Sequence, residues 1–187
     1  MKISFSFALL AAVLFFSQNV YAFTYAYTFH DPLLPSSSYR IDQDFREYNS
    51  GFGKYHLGED RNRGSCNADY GDNVYSVANG LVRYAQNAGT TWGNVVIIRY
   101  ILPDNSVVNF LYGHLKTITV SVGQEVSGGQ KIGEVGDANG YYDCAHLHLE
   151  ARTDRSLETI PGPGYLSGLS DPLWNKYTDP SDFIANH

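Results

Sequence analysis

From about Gly51 onward, the hydrophobic positions fall in short apolar runs separated by Gly, Asn and Pro turns. The runs are residues 73–78, 80–85, 94–100, 107–112, 117–122, 131–135 and 146–151. Their length and close spacing are those of strands. No long stretch carries the 3.6-residue period of an amphipathic helix. Pro103-Asp104-Asn105 is turn chemistry, so 94–101 and 107–112 are expected to pair as a hairpin. A weak repeat runs through the pattern. Gly71-Asp72-Asn73-Val74 precedes Gly80-Leu81-Val82, as Gly123-Gln124-Glu125-Val126 precedes Gly128 to Gly133. Such repeats occur in hybrid-motif barrels that carry biotin or lipoyl groups. Those barrels present a lysine at a tight turn, and Lys131 is not so placed. The expected fold is all-β: mainly antiparallel sheets, a hybrid-motif barrel-like core, and few short helices.

The flanks read differently. Residues 1–22 have the form of a signal peptide: Lys2, an apolar stretch over 3–16, then Val20-Tyr21-Ala22 as a small-x-small cleavage site. The competing reading is a membrane anchor, but the stretch is shorter than the ~20 apolar residues a span needs. Residues 23–50 form an aromatic and polar lead-in, and 51–153 the core. Residues 154–187, rich in Pro, Gly and Ser, form a tail whose Trp174 and Phe183 are expected to pack on the core; contact of these rings with substrate is the alternative.

Composition narrows the class. The chain has 187 residues, 43% hydrophobic and 17% charged, which suits one globular domain with a core. Its 15 Tyr and 10 Phe favour strands. A net charge of −6 argues against nucleic acid or an anionic membrane as partner. The expectation is an exported monomer, periplasmic or secreted. Its two cysteines, Cys66 and Cys144, are an even count in an exported chain, which points to a disulfide. Cys–His metal ligation is the weaker alternative, since no C-x-x-C spacing is present.

The chemistry concentrates in histidines. His146-Leu147-His148 lies in a strand pattern, where residues two apart face the same way, so both imidazoles enter one pocket. His56 and Asp60, spaced H-x-x-x-D in a turn-like setting beside Gly58, can complete a metal site. Two His and one carboxylate are a known catalytic zinc set that leaves a position open for water. Neighbours in an extended chain point oppositely, so Asp60 or Glu59 faces the site but not both; the preference for Asp60 rests partly on the family resemblance below, and Glu59 then reads as an ordinary surface charge. His114, beside Gly113 at a strand end, occupies a usual place for a working residue.

Together, His56-x-x-x-Asp60, Tyr112-Gly113-His114-Leu115 and His146-Leu147-His148 resemble the three signature motifs of the lysostaphin-type (LytM-like) zinc metallopeptidases, which cut peptidoglycan crosslinks. Gly51-Phe52-Gly53, Val77-Ala78-Asn79-Gly80, Gly93-Asn94-Val95-Val96-Ile97 and the glycine pattern from Val122 to Gly136 match as well. The likeness covers about residues 51–152. It implies a β-sheet groove with His56, Asp60 and His148 on one Zn2+ per chain. It implies His114 and His146 as catalytic histidines and a peptidoglycan peptide as substrate. Cys144-Ala145 stands where the family usually has Gly-Pro, and the loop 137–143 departs from the usual threonine- and glycine-rich form. That loop borders the groove and bears on cleavage specificity. Non-catalytic relatives that activate other cell-wall enzymes typically lack ligands, whereas all five positions are intact here. The alternatives are a zinc-containing binding or activator module and a secreted zinc peptidase for ordinary proteins.

Overall fold

The computed structural model describes residues 24–187, so the signal-peptide expectation for 1–22 lies outside the described residues. The strands, in chain order, are β1 (Arg40–Gln43), β2 (Tyr48–Asn49), β3 (Lys54–His56), β4 (Glu59–Asn62), β5 (Asn73–Tyr75), β6 (Gly80–Asn87), β7 (Asn94–Ile101) and β8 (Val107–Leu115). They continue as β9 (Thr117–Ile118), β10 (Glu125–Val126), β11 (Lys131–Glu134), β12 (Leu147–Arg152), β13 (Tyr165–Leu166) and β14 (Tyr177–Thr178). One α-helix is described, α1 (Pro180–Asn186), with short 3-10 turns elsewhere. Every strand pairing is antiparallel, and the expected mainly antiparallel class holds.

The largest sheet runs β1-β4-β12-β8-β7-β6-β10, with β14 added beside β12. Smaller sheets run β5-β11-β9 and β13-β3-β2. The β7–β8 hairpin forms as its turn chemistry dictates. Asn105 takes φ +67° and its N–H donates to Leu102 O at 2.9 Å, a left-handed position that Asn tolerates. The apolar run over 117–122 supplies only two strand residues, β9, because the residues after Thr119, whose N–H still donates to Ile132 O at 3.0 Å, turn away toward Gly123. Val96, Ile98, Tyr100, Val108, Phe110, Tyr112, Leu147, Leu149 and Ala151 project to one face of the large sheet and build the main core. On the opposite face, Val95, Ile97 and Leu111 form a smaller cluster with Trp92 packed against it.

The chain ends close over this sheet. Phe183 of α1 packs on the main core, while Trp174, 3% exposed, joins Leu57, Leu157, Leu166 and Tyr177 in a second cluster. Glu59 is not the surface charge that its acidic context suggested; it is fully buried. It pairs with Arg61, whose Nη1 also reaches Asp31 Oδ2 at 2.7 Å. Ser181 of α1 donates to it from backbone N (2.9 Å) and Oγ (3.0 Å). A buried carboxylate is tolerable only when paired and hydrogen-bonded in this way.

Candidate active site

Strand β12 sorts its residues by parity. Leu147, Leu149 and Ala151 enter the main core. His148, Glu150 and Arg152 share the other face, with His146 just before them. In the ladder, His148 stands opposite Asp60 of β4 on one side and Gly113 of β8 on the other. Opposed residues share a face, so Asp60 meets His148 while Glu59, opposite Leu149, turns to the core. The third contributor, His56, ends β3. Between His56 and Asp60 the chain must bend against β12, and Gly58 permits it: a Cβ there would lie 2.3 Å from Leu149 O.

His114 arrives by a different device. Simple alternation along β8 would send it to the core beside Tyr112. The register between β7 and β8 instead slips, Asn94 facing Leu115 and Val96 facing Tyr112. That is a β-bulge with one extra residue in β8. His114 takes φ +60° within it, and the left-handed backbone swings the imidazole to the His146 side. The ring stacks on Trp92 (centroids 5.7 Å apart) and approaches His146 (4.8 Å) and His148 (5.4 Å).

The polar atoms converge on Asp60 Oδ1. His148 Nδ1 lies 2.9 Å from it, His56 Nε2 3.3 Å and His146 Nε2 3.8 Å. His56 Nε2 and His148 Nδ1 are 2.9 Å apart. Tetrahedral ligands ~2.0 Å from a zinc ion stand ~3.3 Å from one another, so His56, Asp60 and His148 fit one cation. His56 Nδ1 is buried with no hydrogen-bond partner, which leaves Nε2 as the ring's interacting nitrogen. Asp60, His114 and His146 form a second, overlapping group around the same carboxylate.

Neighbours fix the tautomers. His148 Nε2 faces Glu150 Oε1 at 3.0 Å; a carboxylate accepts, so Nε2 carries a proton in either charge state, and in the neutral ring Nδ1, beside Asp60, is the nitrogen with the lone pair. His114 Nδ1 donates to Trp92 O (3.2 Å) and His146 Nδ1 to Cys144 O (3.1 Å). Carbonyls can only accept, so in their neutral forms both rings hold a free lone pair at Nε2. Burial, followed by the nearby His146 and His148, pushes His114 well below the usual imidazole range. Burial acts in the same direction on His148, but Asp60 and Glu150 outweigh it and lift the ring to about 9. Burial would raise Asp60, yet His56 and His148 hold it well below the carboxylate range. The pocket therefore favours a positive charge beside Asp60.

Around these five stand residues that the sequence reading passed over, beside the expected disulfide. Glu150 and Arg152 back His148 from the same strand face: Arg152 Nε donates to Glu150 Oε2 at 2.7 Å and Nη1 to Ile160 O at 2.6 Å. The H-x-H-x-E-x-R alternation could have disclosed them. Tyr142, from the loop 137–143, packs 4.6 Å from His114 and 4.9 Å from His146. Tyr165 comes from the tail, 4.9 Å from the His56 ring. Cys66 and Cys144 are bridged across a separation of 78 residues, and Asn67 Oδ1 accepts from Ala145 N at 2.7 Å. Together these pin the segment entering His146. A groove of about 310 Å³ opens over His114 and His148. A larger concavity of about 600 Å³, against Gly80, Leu81 and Val126, has no histidine in its lining; chemistry rather than size marks the site.

Residues 61–159 match the model of peptidase family M23. The chain belongs to this family. The match takes in His114, His146 and His148, with His56 and Asp60 just N-terminal of it. The M23 chain is 34% identical over 103 residues to the cell division protein DipM of Caulobacter vibrioides (strain NA1000 / CB15N), covering 55% of this chain and 16% of that protein. It is 35% identical over 82 residues to lipoprotein NlpD of Yersinia enterocolitica, covering 44% of this chain and 78% of that protein. Thus it spans about a sixth of DipM and most of NlpD. Its M23 fold is similar to the catalytic domain of the antimicrobial peptidase lysostaphin from Staphylococcus simulans, with a TM-score of 0.58 and 24% identity over 80% of this chain and 94% of that one.

Proposed function

We propose that this M23 protein is a zinc-dependent endopeptidase that hydrolyses peptide bonds in peptidoglycan stem peptides or crosslinks outside the cytoplasm. The observation that carries the reading is the convergence of three histidine nitrogens on one carboxylate oxygen, Asp60 Oδ1, at 2.9, 3.3 and 3.8 Å. His56, Asp60 and His148 would hold the zinc. Bound there, zinc supplies Lewis-acid polarisation of a carbonyl and lowers the pKa of a water ligand toward ~7. His114 and His146 flank this centre without being needed to complete it. Each presents an Nε2 lone pair, so either can accept the proton of an attacking water and return it to the leaving amine. The other, once protonated, donates to the oxyanion that develops on the scissile carbonyl. The family and the Cys66–Cys144 bridge support a site of action beyond the reducing cytoplasm.

The test is incubation of the purified protein with cell-wall sacculi, with and without chelator, and identification of released fragments by mass. Chelator-sensitive release of peptide-cut muropeptides is expected; absence of release from several wall types refutes the reading. His148→Ala is expected to lose both zinc and activity, and His114→Ala to retain zinc while losing activity, by metal analysis of the purified proteins. Full zinc occupancy in His148→Ala would overturn the ligand assignment.

A further inference from the structure

The groove over the histidines has mostly aromatic walls and contains one lysine. Phe52, Trp92, Tyr142 and Tyr165 line it, with Lys54 among them. Lys54 and His56 are two apart on β3, so the alternation that turns His56 to the metal centre turns Lys54 the same way, ~6.6 Å along the strand. Phe52 and Tyr165 meet at a tilt, centroids 4.9 Å apart, and Tyr165 in turn lies against His56. The aromatic wall is therefore continuous from the groove mouth to the catalytic centre.

The other lysines among the described residues are occupied. Lys131 pairs with Glu134 at 2.8 Å, Lys176 with Asp154 at 3.0 Å, and Lys116 lies 4.7 Å over the Tyr70 ring. Lys54 is exposed, and no ion pair or hydrogen bond of its ammonium is found among the described residues. In a chain of net charge −6, a cation in the groove lining and left without an internal carboxylate is free to receive one from outside.

We propose, on the reading of this site as a zinc endopeptidase, that Lys54 is a specificity-determining residue that binds a free carboxylate carried by the substrate peptide beside the scissile bond. The groove is then one for stem peptides crosslinked through a diaminopimelate-type residue, whose side chain bears such a carboxylate. A glycine bridge has no side chain to offer the lysine.

The test uses crosslinked stem peptides identical except that the side-chain carboxylate next to the cut bond is free or amidated. Affinity is measured by calorimetry in the His114→Ala background, so that binding is read apart from cleavage. The free-carboxylate peptide is expected to bind about tenfold more tightly, the range of a hydrogen bond to a charged group. Lys54→Met is expected to remove the difference and Lys54→Arg to keep it; the exposed position leaves both variants folded, as thermal melting will show. Equal affinity for the two peptides, no affinity for either, or a preference that survives Lys54→Met overturns the proposal. Cleavage by the otherwise unaltered protein is followed separately. If no peptide is cut in a chelator-sensitive way, the endopeptidase reading fails whatever the binding preference shows.

Discussion

At His114 the backbone sits at φ +60°, a conformation that costs a residue with a Cβ roughly 1–2 kcal/mol. The bulge that imposes it is what places the ring against His146 rather than in the core. Replacing the ring with hydrogen should therefore be easier on the fold than replacing it with a methyl group. His114→Gly is expected to unfold with about 1 kcal/mol more stability than His114→Ala in urea titrations, with both variants inactive on sacculi. Equal stability of the two would mean that the left-handed backbone is not what holds the ring in place. This residue also marks where the sequence becomes silent. The neighbouring Gly113 hinted at an unusual spot, but alternation alone assigns His114 to the wrong face, because a bulge depends on the pairing of β7 with β8.

Strand β12 shows the opposite case. Its period of two was readable, and the inference that His146 and His148 face one pocket follows from it directly. The same period continues into Glu150 and Arg152, which are fully buried behind His148. Burial opposes the charge on Glu150, but Arg152 and His148 outweigh it and hold the carboxyl below its usual range. Glu150→Gln should weaken zinc binding by about 10- to 100-fold in competition with a chelator, the usual cost of losing a carboxylate behind a histidine ligand. Because the folded carboxyl titrates below its unfolded value of ~4.3, its contribution to stability is complete above that pH. The contribution is lost as pH falls through the folded value. The melting temperature should therefore drop as pH falls below about 4, and drop less in Glu150→Gln. By contrast β3, β4 and β13 were not legible. Gly53 and Gly58 gave 53–60 the look of a turn, and the pairing that sets Tyr165 opposite His56 joins residues far apart in the chain. No local pattern encodes such a partner.

Across the whole molecule, the site is assembled from segments that the chain delivers at long intervals, and the covalent link is one of the things that hold them. The Cys66–Cys144 bridge closes a loop of 78 residues, worth about 4 kcal/mol in the chain-entropy account. A Cys66→Ser/Cys144→Ser protein should lose stability of that order in urea titrations. Its activity should fall as well, since the bridge borders His146; unchanged midpoint and unchanged turnover would show the bridge to be dispensable. The cysteine count and expected export were enough to anticipate the pairing, and the two-residue spacing from Cys144 to His146 already placed it beside the histidine segment. The buried carboxylate of Glu59 extends the same theme to the order in which the protein is made. Glu59 lies in the strand that carries Asp60, yet its Ser181 donors are 122 residues further along. On the ribosome, that strand must wait for the start of α1 to emerge before its charge is fully satisfied. Completion of the strand that carries Asp60 is thus tied to the arrival of α1, and a copy that stops short of Ser181 leaves a buried charge without two of its donors.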